Sequence, residues 1–257
     1  MGFLKKVGRA LKKAGNALVS GLRQLGNLLN EFIQTVFGAL DFVLALLVIL
    51  PMKKIRVAVV VLRDENGVLL ADPPSNLGPR ISAASDILER QAKTRIVAPG
   101  IGQILPLPDP APTYALDVKC GAGAWGEEFG EAGAYFRGRT VQAWHGAFFG
   151  YGDPVTAFLV RSVDGDDDGC SLGPLTSYVT VEAEDLRIPG DDVGGGTPGS
   201  TVGTVNSRLL AHEVAHACGL PHWFASTANL MHPSGPGTRL SRFQKAVFRR
   251  SRHVTYL

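Results

Sequence analysis

The chain has 257 residues, of which 45% are hydrophobic and 19% are charged, and its formal net charge is +3. This length allows one domain with a complete hydrophobic core plus additional segments. The basic residues are concentrated towards the two ends of the chain, and neither cluster alternates with aromatic residues as a nucleic-acid-binding surface would. We therefore expect no DNA or RNA partner.

Residues 1–31 have the pattern of a basic amphipathic helix. Six Lys or Arg residues stand in this segment against a single acid, Glu31. The apolar residues recur at intervals of three and four, which places them on one continuous helical stripe: Leu4, Val7, Leu11, Ala14, Leu18, Leu22, Leu25, Leu29 and Phe32. Such a helix suits an anionic membrane surface, although a coiled-coil or partner-binding helix has the same pattern.

The next segment, residues 32–52, is mostly apolar and is just long enough to span the hydrocarbon core of a bilayer. Asp41 lies near its centre and would disfavour insertion by about 2.5–3.5 kcal/mol, which the apolar residues on either side offset. The segment predicts a transmembrane or signal-anchor helix, with a buried helix of a soluble core as the alternative.

Residues 53–257 alternate strand and helix patterns and form the predicted folded domain. Strands are predicted by apolar and β-branched runs in four places: 55–62, 95–104, 155–163 and 178–183. Helices are predicted at 82–93, at about 205–218, and after Ser241, where Ser-x-x-Gln matches a capping box. The Pro-, Gly- and aromatic-rich residues 106–150 predict an irregular packed insertion, and residues 189–203 predict a mobile loop.

An acidic loop that begins at Asp164 is a candidate calcium site. It reads Asp-Gly-Asp-Asp-Asp-Gly, and Asp164, Asp166 and Asp168 could place oxygen ligands around a hard cation. Leu175 occupies the position of the bidentate Glu that a complete calcium loop requires, so a solvated acidic turn is the alternative. The following residues, 169–175, predict an edge strand along which an extended peptide could add.

The cysteines bear on the compartment. Cys120 and Cys170 could form a disulfide, which would favour an extracytoplasmic location for the folded domain of a membrane-anchored protein. Spacing alone does not establish a pair. Three unpaired buried thiols, with Cys218 as the third, are therefore the alternative.

Residues 212–222 contain the most specific motif of the chain, His-Glu-x-x-His-x-x-Gly-x-x-His. His212 and His216 are four residues apart, so on a helix they project from one face and can bind a single metal ion. Glu213 lies beside the first of them, where it can reach a metal-bound water without itself being a ligand.

A turn follows the two helical histidines. Gly219 can adopt the left-handed conformation that ends a helix, and Pro221 cannot continue one, so the chain reverses and brings His222 in as a third ligand. Three neutral imidazoles with one open position are the coordination of a catalytic zinc ion rather than a structural one.

The motif resembles the zinc-binding motif of the metzincin metalloproteases. Residues 229–233, Asn-Leu-Met-His-Pro, resemble their Met-turn, and the short interval after His222 is most similar to the matrixin branch. The resemblance implies that Met231 forms an apolar floor beneath the three histidines. The chain departs from the matrixin pattern at three positions, which leaves the substrate pocket open: Trp223, His232 and Pro233.

The resemblance also implies an α+β fold of the metzincin type. A mixed twisted β-sheet with a backing helix and the active-site helix would form residues 53–219, and residues 220–257 would form a small lower subdomain across the zinc cleft. Matrixins hold calcium in loops near the place of the acidic loop.

These features predict a zinc-dependent endopeptidase with one catalytic Zn²⁺ ion. Glu213 is the expected general base that activates the water molecule. The expected partners are a peptide or protein substrate and, through residues 1–50, a membrane. The alternative is a membrane-active or membrane-anchored effector whose zinc domain processes or binds another molecule.

Overall fold

The computed structural model describes residues 14–29, 32, 51–71, 77–100, 102–120, 126–142, 152–164, 169–183 and 202–256. Most of the predicted membrane segment, most of the loop at 189–203, and the candidate calcium ligands Asp166 and Asp168 lie outside these residues. Within the described part of the chain, no helix combines the length and apolar character that crossing a bilayer requires.

Strand β1 (Lys53–Arg63) is the centre of the fold. A strand was predicted at 55–62, and the structure confirms it and extends it at both ends. Ile55 and all the residues from Val57 to Leu62 are at most 1% exposed. An uninterrupted apolar run of this kind is expected where both faces of a mostly parallel sheet are covered.

The main sheet is mixed and mostly parallel. Its order is β2-β1-β5-β8-β7, with β3 beside the second half of β1 and β9 beside the first half. Among the strands that the structure describes, β7 and β9 pair antiparallel, to β8 and β1 respectively, and the others pair parallel. A separate parallel pair joins β4 and β6. The strand bounds are β2 Thr94–Val97, β3 Ile104–Pro110, β4 Asp117–Lys119, β5 Val155–Val160, β6 Ser162–Asp164, β7 Gly169–Cys170, β8 Tyr178–Glu182 and β9 Val254–Thr255.

Two predicted strands are wrong in their extent. Residues 95–104 are not one strand, because the chain turns at Gly102 (φ +113°) and pairs with β1 in two separate places. Residues 155–163 are also divided: the backbone N–H of Arg161 donates to Leu116, and β6 then pairs with β4 outside the main sheet. The predicted edge strand at 169–175 is limited to Gly169–Cys170.

A helix at residues 14–29 precedes the sheet. Within residues 53–257, helices lie on the two faces of the sheet. Their bounds are α1 Leu77–Ala92, α2 Thr113–Leu116, α3 Glu131–Arg139, α4 Val202–Ala217 and α5 Arg242–Arg250, with a 3₁₀ turn at Gly173–Leu175. Helix α1 begins earlier than predicted. The predicted capping box of α5 is confirmed, since the Ser241 hydroxyl accepts from the Gln244 backbone and the Gln244 side chain accepts from the Ser241 backbone.

Two hydrophobic cores flank the sheet. One lies beneath α1 and α4 and contains residues from both sides of His222, including Val214, Leu230, Met231 and Val254. The other is covered by α2 and α3, whose Phe136 ring lies 4.9 Å from that of Phe158. Part of the predicted irregular insertion is therefore regular structure that closes the second face of the sheet.

A disulfide joins Cys120, which follows β4, to Cys170 of the edge strand β7, with Cα atoms 5.6 Å apart. Cys218 is buried and does not take part in a disulfide. The disulfide ties the main sheet to the small β4–β6 pair.

Candidate metal centre

Three histidines converge at the C-terminal end of α4. His212 and His216 lie one turn apart on this helix, and His222 follows the turn that ends it. One ligand atom from each histidine lies within 4.8 Å of the others. The cluster is open on one side, because His212 is buried, His216 is half-buried and His222 is exposed.

The turn that delivers His222 has the geometry that its residues predicted. Gly219 has φ +87°, in the left-handed region that a residue with a side chain rarely adopts. Its N–H donates to the His216 carbonyl at 2.8 Å, and the Leu220 N–H donates to Ala215 at 3.1 Å. These bonds satisfy carbonyls at the helix end and direct the chain back towards the two helical histidines.

Backbone carbonyls orient both helical imidazoles. His212 Nδ1 lies 2.6 Å from the Leu230 carbonyl oxygen, and His216 Nδ1 lies 2.6 Å from that of Leu220. A carbonyl oxygen only accepts hydrogen bonds, so each Nδ1 carries the proton. In the neutral ring, each Nε2 then presents its lone pair.

The two Nε2 atoms lie 3.0 Å apart. Burial, together with the neighbouring His216, lowers the pKa of His212 to about 3. Burial and the neighbouring His222 lower the pKa of His216 to about 4. Both rings are therefore neutral near pH 7, and two lone pairs that face each other at this distance cannot form a hydrogen bond. A cation between them would remove the repulsion.

Glu213 is 3% exposed and packs against the edge strand β7. A Cβ atom built on Gly169 would lie 2.8 Å from the Cγ, Cδ and Oε1 atoms of Glu213. Only glycine therefore allows the strand to approach this carboxylate so closely. The contact places the acid of the motif directly beside the sheet edge.

Residues 229–232 form a tight turn next to His212. The Asn229 side chain accepts from the Met231 N–H at 2.8 Å, and the Trp223 N–H donates to the Met231 carbonyl at 2.8 Å. Met231 is fully buried in the main core. The turn is thus anchored both to the chain that follows His222 and, through the Leu230 carbonyl, to His212 itself.

Two contributors to this turn were missed by sequence reasoning. Arg208 lies one helical turn before His212 and is 6% exposed. Its guanidinium donates to the carbonyls of Leu230 at 2.9 Å and Gly237 at 3.0 Å, and also to that of His232. The side-chain amides of Asn229 and Gln244 bond to each other in both directions, at 2.8 and 3.2 Å. The spacing of Arg208 from His212 was visible, but its carbonyl partners are distant in the chain.

The candidate calcium ligands stand apart from this cluster. Asp164 ends β6, where it is in register with Lys119 of β4. Because its two proposed co-ligands are outside the described residues, the calcium site stays a prediction.

The donor set fits a metal ion: the Nε2 atoms of two neutral imidazoles lie 3.0 Å apart, and a third histidine lies beside them with access to solvent. Compared with known proteins, the chain matches no family model and no curated protein. By its geometry, the protein contains a three-histidine cluster that can hold a metal ion.

Proposed function

We propose that the protein is a zinc-dependent endopeptidase. The observation that carries the proposal is the convergence of two Nε2 lone pairs and a third histidine beside a buried carboxylate at a sheet edge. In the metzincin resemblance, these residues are the three zinc ligands and the general base.

Zinc suits this donor set better than other common ions. Neutral imidazole is a favoured ligand of Zn²⁺, whereas Mg²⁺ and Ca²⁺ prefer oxygen ligands. A tetrahedral zinc ion with metal–nitrogen distances of about 2.0–2.1 Å would separate two ligand nitrogens by about 3.3 Å. The 3.0 Å between His212 Nε2 and His216 Nε2 requires only a small adjustment to that value.

When bound, zinc would supply Lewis acidity that polarises a water molecule and the scissile carbonyl. Glu213 would accept the proton of the attacking water and then deliver it to the leaving amine. Its burial against Gly169 holds the carboxylate in one position, which favours proton transfer over a short path. No serine or cysteine nucleophile is required, so we expect no covalent intermediate.

The edge strand β7 supports a peptide substrate. Among the described strands it is the last in the sheet order, and Glu213 packs against it. An extended peptide could pair with this edge through its backbone, which gives binding with little dependence on sequence. Trp223 and Phe224 are 43% and 72% exposed close to the cluster, with the Phe224 ring 5.9 Å from that of His222. We propose that these apolar surfaces contact substrate side chains.

We also propose the metzincin-like division into subdomains and an extracytoplasmic location for the domain. The disulfide between Cys120 and Cys170 supports this compartment, since such bonds persist in oxidising environments.

The test is cleavage of a reduced and alkylated protein by the full chain loaded with zinc. Wild type would be compared with Glu213→Gln, which keeps the size of the side chain and removes its basicity. We expect Glu213→Gln to lose activity by about 10²–10⁴-fold while it retains one zinc ion per chain by elemental analysis. His212→Asn, as a second variant, should lose both zinc and activity.

Two results would contradict the proposal. Equal turnover by wild type and Glu213→Gln at equal zinc content would exclude Glu213 as the general base. If wild type with one zinc ion per chain cleaves no unfolded protein, the proposed endopeptidase function is excluded.

A further inference from the structure

The N-terminal helix is docked on the domain by its polar face. Residues 14–29 are helical, and Ser20 is fully buried. The Ser20 hydroxyl donates to Glu128 Oε1 at 2.9 Å, and the Asn27 side chain donates to the Leu175 carbonyl at 2.6 Å. Gln24 donates to the Ser20 hydroxyl at 3.2 Å. Positions 20, 24 and 27 share one side of a helix, so the contact is a continuous polar stripe.

The docking point on the domain is itself held rigidly. Glu128 is 2% exposed, and its carboxylate accepts from Arg137 at 2.5 Å and from the Tyr178 hydroxyl as well as from Ser20. Hydrogen bonds to a charged, buried group are among the stronger ones in proteins. Ser20 therefore joins an existing ionic network in the domain, and the helix is held in one orientation.

The opposite face of this helix carries large apolar side chains that face solvent. Leucines recur there at intervals of three and four and are 59–65% exposed: Leu18, Leu22, Leu25 and Leu29. We call these four residues the leucine face. A soluble amphipathic helix normally buries its apolar side and exposes its polar side. This helix does the reverse, and a contiguous exposed apolar patch indicates a binding surface.

We propose that the leucine face binds the surface of an anionic lipid bilayer while the polar face keeps the helix docked on the domain. The charge of residues 1–31, six basic residues against one acid, is complementary to anionic headgroups. The same charge disfavours a second copy of this chain as the occupant, because two cationic segments would be brought together.

The docked helix also sets where the bilayer lies relative to the histidine cluster. Asn27 bonds to Leu175 in the 3₁₀ turn Gly173–Leu175, and this turn packs on the end of α4. A Cβ atom on Gly173 would lie 3.7 Å from the His216 carbonyl oxygen, and one on Gly219 would lie 4.0 Å from Pro174. A bilayer bound by the leucine face is therefore held at a fixed position relative to the cluster.

The substrate class that this orientation implies rests on the proposed peptidase function. A peptidase held in this way acts on peptide segments that lie at the bilayer surface. The lipid contact itself does not depend on peptidase activity.

The test places a nitroxide label at Leu22→Cys or, as the matched control on the polar side, at Asn16→Cys in the full chain. Labelling is selective because Cys120 and Cys170 are bonded to each other and Cys218 is buried. Accessibility to oxygen, which concentrates in lipid, and to a water-soluble nickel chelate is measured by power saturation. The vesicles contain phosphatidylcholine alone or with a quarter phosphatidylglycerol.

We expect anionic vesicles to raise the oxygen-to-nickel accessibility ratio severalfold at position 22 and to leave it unchanged at position 16. Because the readout is local to the leucine face, membrane insertion of residues 32–52 does not produce it. A label at 22 that stays accessible to nickel in the presence of vesicles would overturn the proposal. A label shielded from both reagents would also overturn it, since the face would then pack on protein. An equal response in neutral vesicles would overturn the requirement for anionic lipid.

A second variant tests the docking. Ser20→Ala combined with Asn27→Ala removes the contacts to Glu128 and to the Leu175 carbonyl, keeps the weaker contact of Arg23 with the Arg137 carbonyl at 3.5 Å, and leaves the leucine face intact. Distances between labels at 22 and at exposed Asp109→Cys on β3 should be narrowly distributed in the otherwise native chain and broad in this double variant, while lipid exposure at 22 persists. An unchanged, narrow distribution would show that these contacts do not orient the helix. Neither measurement uses turnover, so failure here is distinct from failure of the peptidase proposal.

Discussion

Substitution of Gly169 by Ala tests whether the edge strand positions the carboxylate of Glu213, the proposed general base. A Cβ atom at this position would lie 2.8 Å from three atoms of Glu213, and ordinary contacts begin at 3.4 Å. The carboxylate must therefore retreat by roughly half an ångström or more. A displacement of about 1 Å can reduce turnover by about 10²-fold, so we expect a 10–100-fold loss, equivalent to about 1.4–2.7 kcal/mol in the activation free energy.

The assay is kcat/KM on an unfolded protein, with zinc content and thermal stability measured on the same samples. Gly138→Ala is the matched control, because a Cβ atom there has no heavy atom within 4 Å. In the Glu213→Gln background, Gly169→Ala should have little further effect, since both substitutions act on one group.

Native kcat/KM in Gly169→Ala at full zinc occupancy would refute the reasoning. So would additive losses in the double variant, because Gly169 would then act independently of Glu213. Loss of zinc would show instead that the strand supports the ligands and not the base.

Three further predictions concern the surrounding structure. Arg208→Leu removes hydrogen bonds to three carbonyls, and we expect about 3–5 kcal/mol lower unfolding free energy and weaker zinc binding, measured by denaturant titration and metal competition; native zinc affinity would contradict the role in holding the turn. Replacing Cys120 and Cys170 together by Ser should lower the unfolding free energy by up to about 4 kcal/mol for a sequence separation of 50, and an unchanged melting temperature under oxidising conditions would refute this. Burial, followed by the charge of Arg252, lowers the pKa of His253 to about 3, so between about pH 6.5 and 3 the unfolded chain binds a proton that the folded chain does not. Stability is therefore lost as the pH falls through this window. In urea titrations at several pH values, His253→Gln should reduce the slope of the unfolding free energy against pH by about 1.4 kcal/mol per pH unit. Equal slopes for wild type and His253→Gln would be inconsistent with this.

Features that depend on neighbours in the chain were predictable from sequence. The i, i+4 spacing placed His212 and His216 on one helical face, and Gly219 ended the helix with the expected left-handed conformation. The apolar run around Val59 predicted the central strand, and Ser241 with Gln244 predicted the capping box. In each case, the pattern that carries the prediction lies within one helix, strand or turn.

Predictions that required knowledge of the partner segment were less accurate. The single strand at 95–104 is two strands, because each half meets a different stretch of β1. The apolar periodicity of the N-terminal helix was recognised, but its direction relative to the domain was not predictable. Periodicity describes the two faces of a helix and does not say which of them meets the domain.

The sequence by itself determined the chemistry of the candidate site: three imidazoles, one carboxylate and the turn that joins them lie within residues 212–222. The tertiary structure decided how that chemistry is held. It brought the Leu230 carbonyl to His212, Gly169 to Glu213, and Ser20 to Glu128. These contacts join segments far apart in the chain, and their geometry follows from packing on the common sheet. The spacing of residues along the chain carries no information about contacts between distant segments, so only the folded structure shows them.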